Sequence, residues 1–168
     1  KVEKEVNQGY KVIVVVSAMA GVTNNLIDLV KSTSETTYYS EYDVVLSTGE
    51  QVTSALLASA LNNLNIKARS WLGWQVPIIS DETYSKAIIE EIKTDNILEF
   101  FKKNQVAIIS GFQGLSKENR ITTLGRGGSD TSAVAMAAAF SAERCDIYTD
   151  VDGVYTTDPR IVKNAKKL

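Results

Sequence analysis

The sequence contains no histidine and a single cysteine, Cys145, among its 168 residues. Without histidine the chain has no Ser-His or Cys-His nucleophile pair, no imidazole acid or base, and few ways to bind zinc. Any chemistry therefore depends on carboxylates, cations, hydroxyls and backbone amides. Phosphoryl transfer uses these groups, because its catalysis is mostly positioning and charge stabilisation.

Other absences narrow the class of protein and its expected location. One cysteine excludes an internal disulfide, and we find no charged-then-apolar leader and no run of about twenty apolar residues, so a cytoplasmic location is expected. The net charge is −2 and no face combines dense Lys and Arg with aromatics, so neither nucleic acid nor a membrane is an expected partner. The composition, 44% hydrophobic and 23% charged, is typical of a soluble globular domain.

Apolar, β-branched segments alternate along the chain with segments of helical spacing. Strands are predicted at 10–17, 43–46, 66–72, 106–112 and 145–151, and helices at 1–8, 24–31, 51–64, 85–103 (one or two helices) and 131–142. This alternation predicts an α/β fold, a doubly wound three-layer αβα sandwich around a mostly parallel sheet. Ligands bind beyond the carboxyl ends of such strands, so the polar loops after four of them, all but 66–72, should share one edge.

The stretch from Thr122 to Asp130 (TTLGRGGSD) lies just ahead of the alanine-rich predicted helix. Glycines expose backbone N–H groups at a helix N-terminus, where the dipole favours an anion, and Arg126 adds a planar fork of donors for carboxylate or phosphate. The alternative is a glycine-rich turn in which Asp130 only caps the helix. The stretch alone favours neither interpretation.

A second polar junction, Ser47 to Glu50 (STGE), precedes the predicted helix at 51–64. Taken alone, Glu50 is better explained as an acid interacting with the helix dipole. Together with Arg126, the glycines and a Thr-Asp-x-x-Gly-x-Tyr loop at 149–155, however, Glu50 suggests a site where an amino acid faces a nucleotide.

The motifs that carry these residues form a familiar series. SAMAGVTNNL, LSTGEQVTSALLA, SGFQG, TTLGRGGSDTSAVAMAAA and IYTDVDGVYTTDPRIV, in this order, strongly resemble the catalytic domain of the aspartokinases, in the amino-acid kinase superfamily. The resemblance runs through residues 1–168 as a single partial catalytic domain, and the short polar loop at 32–41 is similar to that of the single-function, alpha-type enzymes. It implies transfer of the ATP γ-phosphoryl group to the side-chain carboxylate of L-aspartate, at the head of lysine, threonine and methionine biosynthesis.

The resemblance also implies roles for individual residues. Arg126 would pair with a carboxylate of aspartate and Glu50 with its α-ammonium, while Asp130 would orient the polar network. Substrate or phosphate contacts are implied for Ser17, Thr23, Gly127, Gly128 and Ser129, and ATP contacts for Thr149, Asp150, Tyr155 and Arg160. Mg²⁺ would be held through the nucleotide phosphates, without a protein metal site, and a homodimer is implied.

The family pattern also includes an earlier Lys-Phe-Gly-Gly-Thr-Ser strand and later regulatory ACT domains, neither of which is present in this sequence. Loss of one preorganised electrostatic group costs on the order of a hundredfold in rate, so we expect little or no activity from residues 1–168 alone. Two alternatives stay open at this stage: another amino-acid kinase such as a glutamate kinase, or a non-catalytic truncated module that binds ligand or dimerises.

Overall fold

The structure, a computed structural model, describes residues 1–125, 127–149, 156, 162 and 164–166. Five helices lie in this part of the chain: α1 (Val2–Asn7), α2 (Val22–Thr33), α3 (Tyr39–Asn63), α4 (Asp95–Phe101) and α5 (Gly128–Ala139). Its strands are β1 (Val12–Val16), β2 (Ala68–Trp71), β3 (Ile78–Ser80), β4 (Ile89–Ile92), β5 (Val106–Ser110), β6 (Gln113–Leu115) and β7 (Ile121–Thr123).

A parallel sheet of order β1-β5-β2 forms the centre of the fold. Its middle strand, β5, is buried on both faces, as its continuous apolar sequence predicts. Val106 and Ile108 pack into a cluster with residues of α1 and α3, whereas Ala107 and Ile109 pack into a second cluster with residues of α4 and α5. The predicted αβα layering around a parallel sheet is therefore confirmed.

A second sheet, of order β4-β3-β6-β7, combines antiparallel and parallel pairs. The polar connection at 115–121 does form the hairpin between β6 and β7. The sequence predicted one or two helices over 85–103, but the structure forms a helix there only over Asp95–Phe101, and Ile89–Ile92 is strand β4. A register shift between β3 and β4 places an extra residue in β4, so Ile89 and Ile92, three apart, both pack against the same core and imitate helical spacing.

Helix α3 runs unbroken through the segment where the sequence predicted a strand at 43–46 and a new helix from residue 51. The strand prediction was wrong, and the helix begins earlier than predicted, but the helical prediction is confirmed over residues 51–63. The hydroxyls of Ser47 and Thr48 donate to the carbonyls of Val44 and Val45 at 2.8 and 2.7 Å, so these polar residues are satisfied inside the helix. By length and composition α3 could cross a membrane, but it packs against strands of both sheets and is the central helix of this domain.

The last predicted strand, 145–151, is not formed over residues 145–149, and residues 150 and 151 lie outside the described residues. Residues 145–149 are all exposed, so the apolar Ile147 and Tyr148 have no buried face to present to a sheet. Tyr148 instead stacks under Lys1, whose Nζ lies 3.7 Å from the ring centroid. Four loops were predicted to share one edge of the sheet. The loops after β1 and β5 do share one edge, because these two strands end side by side at Val16 and Ser110.

Candidate functional site

A cavity of about 270 Å³ lies beyond the carboxyl ends of β1 and β5, where Val16 and Ser110 are paired. Its lining residues are Ser17, Ala18, Thr23, Glu50, Phe112, Gly125, Gly127, Gly128, Ser129 and Asp130. The structure thus brings together the residues predicted to contact substrate or phosphate, apart from Arg126. They come from three separate stretches of sequence, so their convergence is produced by the fold.

Four predicted site residues, Arg126, Asp150, Tyr155 and Arg160, lie outside the described residues. Thr149 is described and exposed, but it is not among the residues lining this cavity. The nucleotide contacts assigned to Thr149, Asp150, Tyr155 and Arg160 therefore stay predictions, as does the carboxylate contact of Arg126.

Two helices begin beside the cavity. Gly127 precedes α5 with φ +76°, and Gly21 precedes α2 with φ +79°, a left-handed conformation that glycine adopts without strain. No side chain within the described residues caps either helix, so Asp130 is not the helix cap of the alternative interpretation. Thr23 and Ser129 lie in the first turns of these helices. The positive ends of both dipoles favour an anion in the cavity.

The start of α5 is packed tightly onto the end of β5. A Cβ on Gly128 would lie 2.7 Å from Cδ2 of Phe112, and a Cβ on Gly111 would lie 2.9 Å from the Ser129 hydroxyl. The Ser132 hydroxyl accepts from the N–H of Phe112 at 3.1 Å and donates to the carbonyl of Gly128 at 2.8 Å. Phe112 has φ +68°, and backbone strain of this kind is common at functional sites.

Glu50 is the buried charge of the cavity, with only 4% of its surface exposed. Its Oε1 accepts from the N–H of Ala18 at 3.0 Å, but its Oε2 has no partner among the described residues. Burial raises the pKa of Glu50, and the Ala18 N–H opposes this shift. Glu50 lies near the middle of α3, so the interpretation of Glu50 as an N-terminal acid was wrong. Its free oxygen suits a cationic donor.

The sequence profile described as "Amino acid kinase family" matches residues 1–168. The chain belongs to the amino acid kinase family. Among relatives of this kinase domain, an aspartokinase of Rickettsia conorii is 54% identical over 170 residues, covering 99% of this chain and 42% of the relative. An aspartate kinase of Stutzerimonas stutzeri is 53% identical over 168 residues, covering 100% of this chain and 41% of the relative.

Solved structures agree with this family assignment. The kinase domain superposes on Synechocystis aspartate kinase with a TM-score of 0.76 at 46% identity, over 98% of this chain and 27% of that one. The E. coli aspartokinase III complex with aspartate and ADP gives a TM-score of 0.79 at 25% identity, over 99% of this chain and 49% of that one. The resemblance seen in the motifs is confirmed, and the chain spans about two fifths of the length of its curated relatives.

Sequence reasoning missed one buried carboxylate of the kinase domain, Asp43, because residues 43–46 were assigned to a strand. Asp43 is fully buried and accepts hydrogen bonds from Ser85 and Thr123. Its position seven residues before Glu50 was the available signal. On one continuous helix, that spacing places both carboxylates on the same face.

Proposed function

We propose that the protein containing this chain is an aspartokinase, which transfers the γ-phosphoryl group of ATP to the side-chain carboxylate of L-aspartate. One observation carries the proposal. Glu50, whose buried Oε2 has no partner among the described residues, lines a cavity flanked by two helix N-termini that no described side chain caps. The cavity therefore combines one position for a cation with two that favour anions, which suits a free α-amino acid.

In this proposal the α-ammonium of aspartate donates to Glu50 and replaces the missing hydrogen bond of Oε2. The carboxylates of the substrate lie toward Arg126 and the first turn of α5, with hydroxyl contacts from Ser17, Thr23 and Ser129. The side-chain carboxylate attacks the γ-phosphorus, a new O–P bond forms, and the bond to ADP breaks. No general base is required, because an aspartate carboxyl with a pKa of about 3.9 is already ionised at neutral pH.

The residues present fit a nucleotide phosphate at the start of α5. A Cβ on Gly127 would meet nothing within 4 Å, so this helix end is open, and its amides complement negative charge. ATP supplies the phosphoryl group, and Mg²⁺ neutralises charge on its phosphates. Asp130 orients the polar network here, and Thr149, Asp150, Tyr155 and Arg160 hold the rest of the nucleotide.

Mg²⁺ is assigned to the nucleotide rather than to a protein site. Within the described ranges, no group of three or more His, Cys, Asp or Glu side chains is placed to hold a metal ion. We further propose that the protein acts in the cytoplasm as a homodimer and starts the pathway to lysine, threonine and methionine.

The test compares acceptors in the full-length protein. Release of ADP from MgATP should depend on L-aspartate and exceed that with L-glutamate or N-acetyl-L-glutamate. N-acetylglutamate should be the poorest of the three, since it lacks the ammonium that Glu50 would bind. Preference for glutamate would instead support a glutamate kinase. Binding of aspartate and MgATP by calorimetry, without turnover, would support the non-catalytic module.

A further inference from the structure

We propose that Asp43 is a positioning residue, which holds the glycine-rich wall of the cavity (Gly125, Gly127 and Gly128) at a fixed place relative to Glu50. This inference rests on the proposed function for its kinetic consequences, although its structural consequence can be measured independently. Asp43 does not line the cavity, so it acts through the backbone that it binds.

Asp43 is tied to two segments of chain. Its Oδ2 accepts from the N–H of Thr123 at 2.8 Å and from the N–H of Ser85 at 2.9 Å. Its Oδ1 accepts from the hydroxyl of Thr123 at 2.8 Å and from the same Ser85 N–H at 3.1 Å. All the donors are N–H or O–H groups of these two residues. The site therefore requires a side chain with two acceptor oxygens and no donor.

Asp43 forms no ion pair with any residue that the structure describes. Within those residues, its negative charge is stabilised by these hydrogen bonds alone. Burial raises the pKa of Asp43, while the donors at Ser85 and Thr123 lower it. A buried carboxylate is costly to retain without a cation. A neutral apolar residue at this position would avoid that cost, so the carboxylate is useful only if the segments of Ser85 and Thr123 have to be held.

Both segments that Asp43 holds lead to the glycine-rich wall. Thr123 is the last residue of β7, two residues before Gly125, and its carbonyl accepts from the N–H of Ala87 at 2.9 Å. Ser85 has φ +67°, and its carbonyl would lie 3.1 Å from a Cβ on Gly125. Asp43 therefore fixes both the approach to Gly125 and the strained backbone packed against it.

Helix α3 connects this wall to the opposite side of the cavity. Asp43 and Glu50 are about two helical turns apart, or about 10 Å along the axis. Glu50 holds the segment after β1 through the N–H of Ala18, and Asp43 holds the segment that leads into α5. A single rigid helix thus sets the distance between the two walls, and so between the proposed ammonium site and the proposed anion site.

The central experiment substitutes Asp43→Asn in the full-length protein. The asparagine amide keeps the size of the side chain but turns one acceptor into a donor, which faces the N–H groups of Thr123 or Ser85. The matched control is Leu61→Ala. Leu61 is a buried residue of the same helix and belongs to the core cluster that contains Val106 and Ile108. Both variants are assayed at a temperature where each is fully folded.

Kinetics provide the first readout. We expect Asp43→Asn to lower kcat/KM for L-aspartate by about a hundredfold, as misplacement by about 1 Å does. Leu61→Ala should stay within about threefold of the wild type even if its Tm falls further. Thr123→Val, which removes the hydroxyl donor to Oδ1, should lower kcat/KM in the same direction, and adding it to Asp43→Asn should cause little further loss.

Hydrogen exchange provides a readout that does not depend on the function. In the ligand-free protein, amides of residues 123–130 should exchange at least tenfold faster in Asp43→Asn than in the wild type, and Leu61→Ala should leave them unchanged. Equal exchange in Asp43→Asn and the wild type would overturn the positioning role. A wild type that fails to phosphorylate aspartate, with this exchange difference still present, would refute the proposed substrate and leave the positioning role supported.

Discussion

Replacing Glu50 by glutamine should make the ligand-free protein more stable while removing its affinity for substrate. Glutamine keeps the shape of the side chain, and its carbonyl oxygen can still accept from the N–H of Ala18. The change removes a buried negative charge whose Oε2 has no partner among the described residues. Sites that hold unpaired charge for a ligand commonly exchange stability for function in this way.

The size of the stability gain is estimated by comparing the buried carboxylate of Glu50 with the buried amide that replaces it. An unpartnered buried polar group costs about 1–3 kcal/mol, and a charged one costs more. Because the glutamine amide is also left unpartnered, we expect a net gain of about 1 kcal/mol at neutral pH. For a domain of this size that gain raises Tm by about 2–4 °C.

The stability difference between Glu50→Gln and the wild type should depend on pH in a definite direction. Burial raises the folded-state pKa of Glu50 above its ordinary value of 4.5. The folded wild type therefore binds this proton more tightly than the unfolded chain, and the stability so gained is lost as the pH rises through the folded-state pKa. The advantage of Glu50→Gln should be largest at neutral pH and should shrink as the pH falls through the raised folded-state pKa of Glu50, where the wild-type carboxyl also takes up its proton.

The assay is thermal unfolding of the purified wild type and Glu50→Gln across this pH range, with and without L-aspartate. Glu41→Gln is the control on the same helix, because Glu41 is 67% exposed and paired with Arg120, so its loss should change stability by less than about 0.5 kcal/mol. Aspartate should raise the Tm of the wild type and leave that of Glu50→Gln unchanged. A Glu50→Gln variant less stable than the wild type at neutral pH would refute the unpaired-charge argument.

Two further predictions concern the glycines near the cavity and Arg126. Gly111→Ala should destabilise the protein by about 1–3 kcal/mol, because its Cβ would lie 2.9 Å from the Ser129 hydroxyl and from the Val16 carbonyl. Gly127→Ala should cost about 1 kcal/mol, because the new Cβ would meet no atom within 4 Å but the residue has φ +76°. A denaturant titration that gives the reverse order of stability would contradict this packing. Arg126→Lys should raise KM for L-aspartate by about tenfold or more, since an ammonium cannot reproduce the bidentate carboxylate contact proposed for Arg126. An unchanged KM, or unchanged calorimetric affinity in Arg126→Ala, would contradict that proposed contact.

The parts of the fold that the sequence predicted well are those whose environment is uniform. Strand β5 is buried on both faces, so its unbroken apolar run identifies it without knowledge of its neighbours. The start of α5 was located close to its true place because glycines mark it directly. The convergence of the segments after β1 and β5 followed from parallel-sheet topology alone, and Ser17 and Phe112, which follow these strands, do line one cavity.

The failures came where tertiary contacts override local pattern. Ser47, Thr48 and Gly49 read as a turn, but the hydroxyls donate within α3, and Gly49 is needed because a Cβ would lie 2.8 Å from Cβ of Ala18. Strand β4 imitates a helix through its bulge. Neither case is marked within its own segment, since Gly49 is explained by packing against Ala18 and β4 by its pairing with β3. The misplaced helix start concealed the relation between Asp43 and Glu50.

The unbroken course of α3 makes the chain sensitive to insertion in a way that point substitution does not reveal. Each added residue turns the following part of a helix by about 100° and advances it by about 1.5 Å. A single alanine inserted between Asp43 and Glu50 would keep every side chain and the helical propensity, but would leave only one of the two carboxylates facing its wall. Substitutions at the exposed positions of this helix should therefore be tolerated, whereas an insertion or deletion between Asp43 and Glu50 should uncouple the two walls of the cavity.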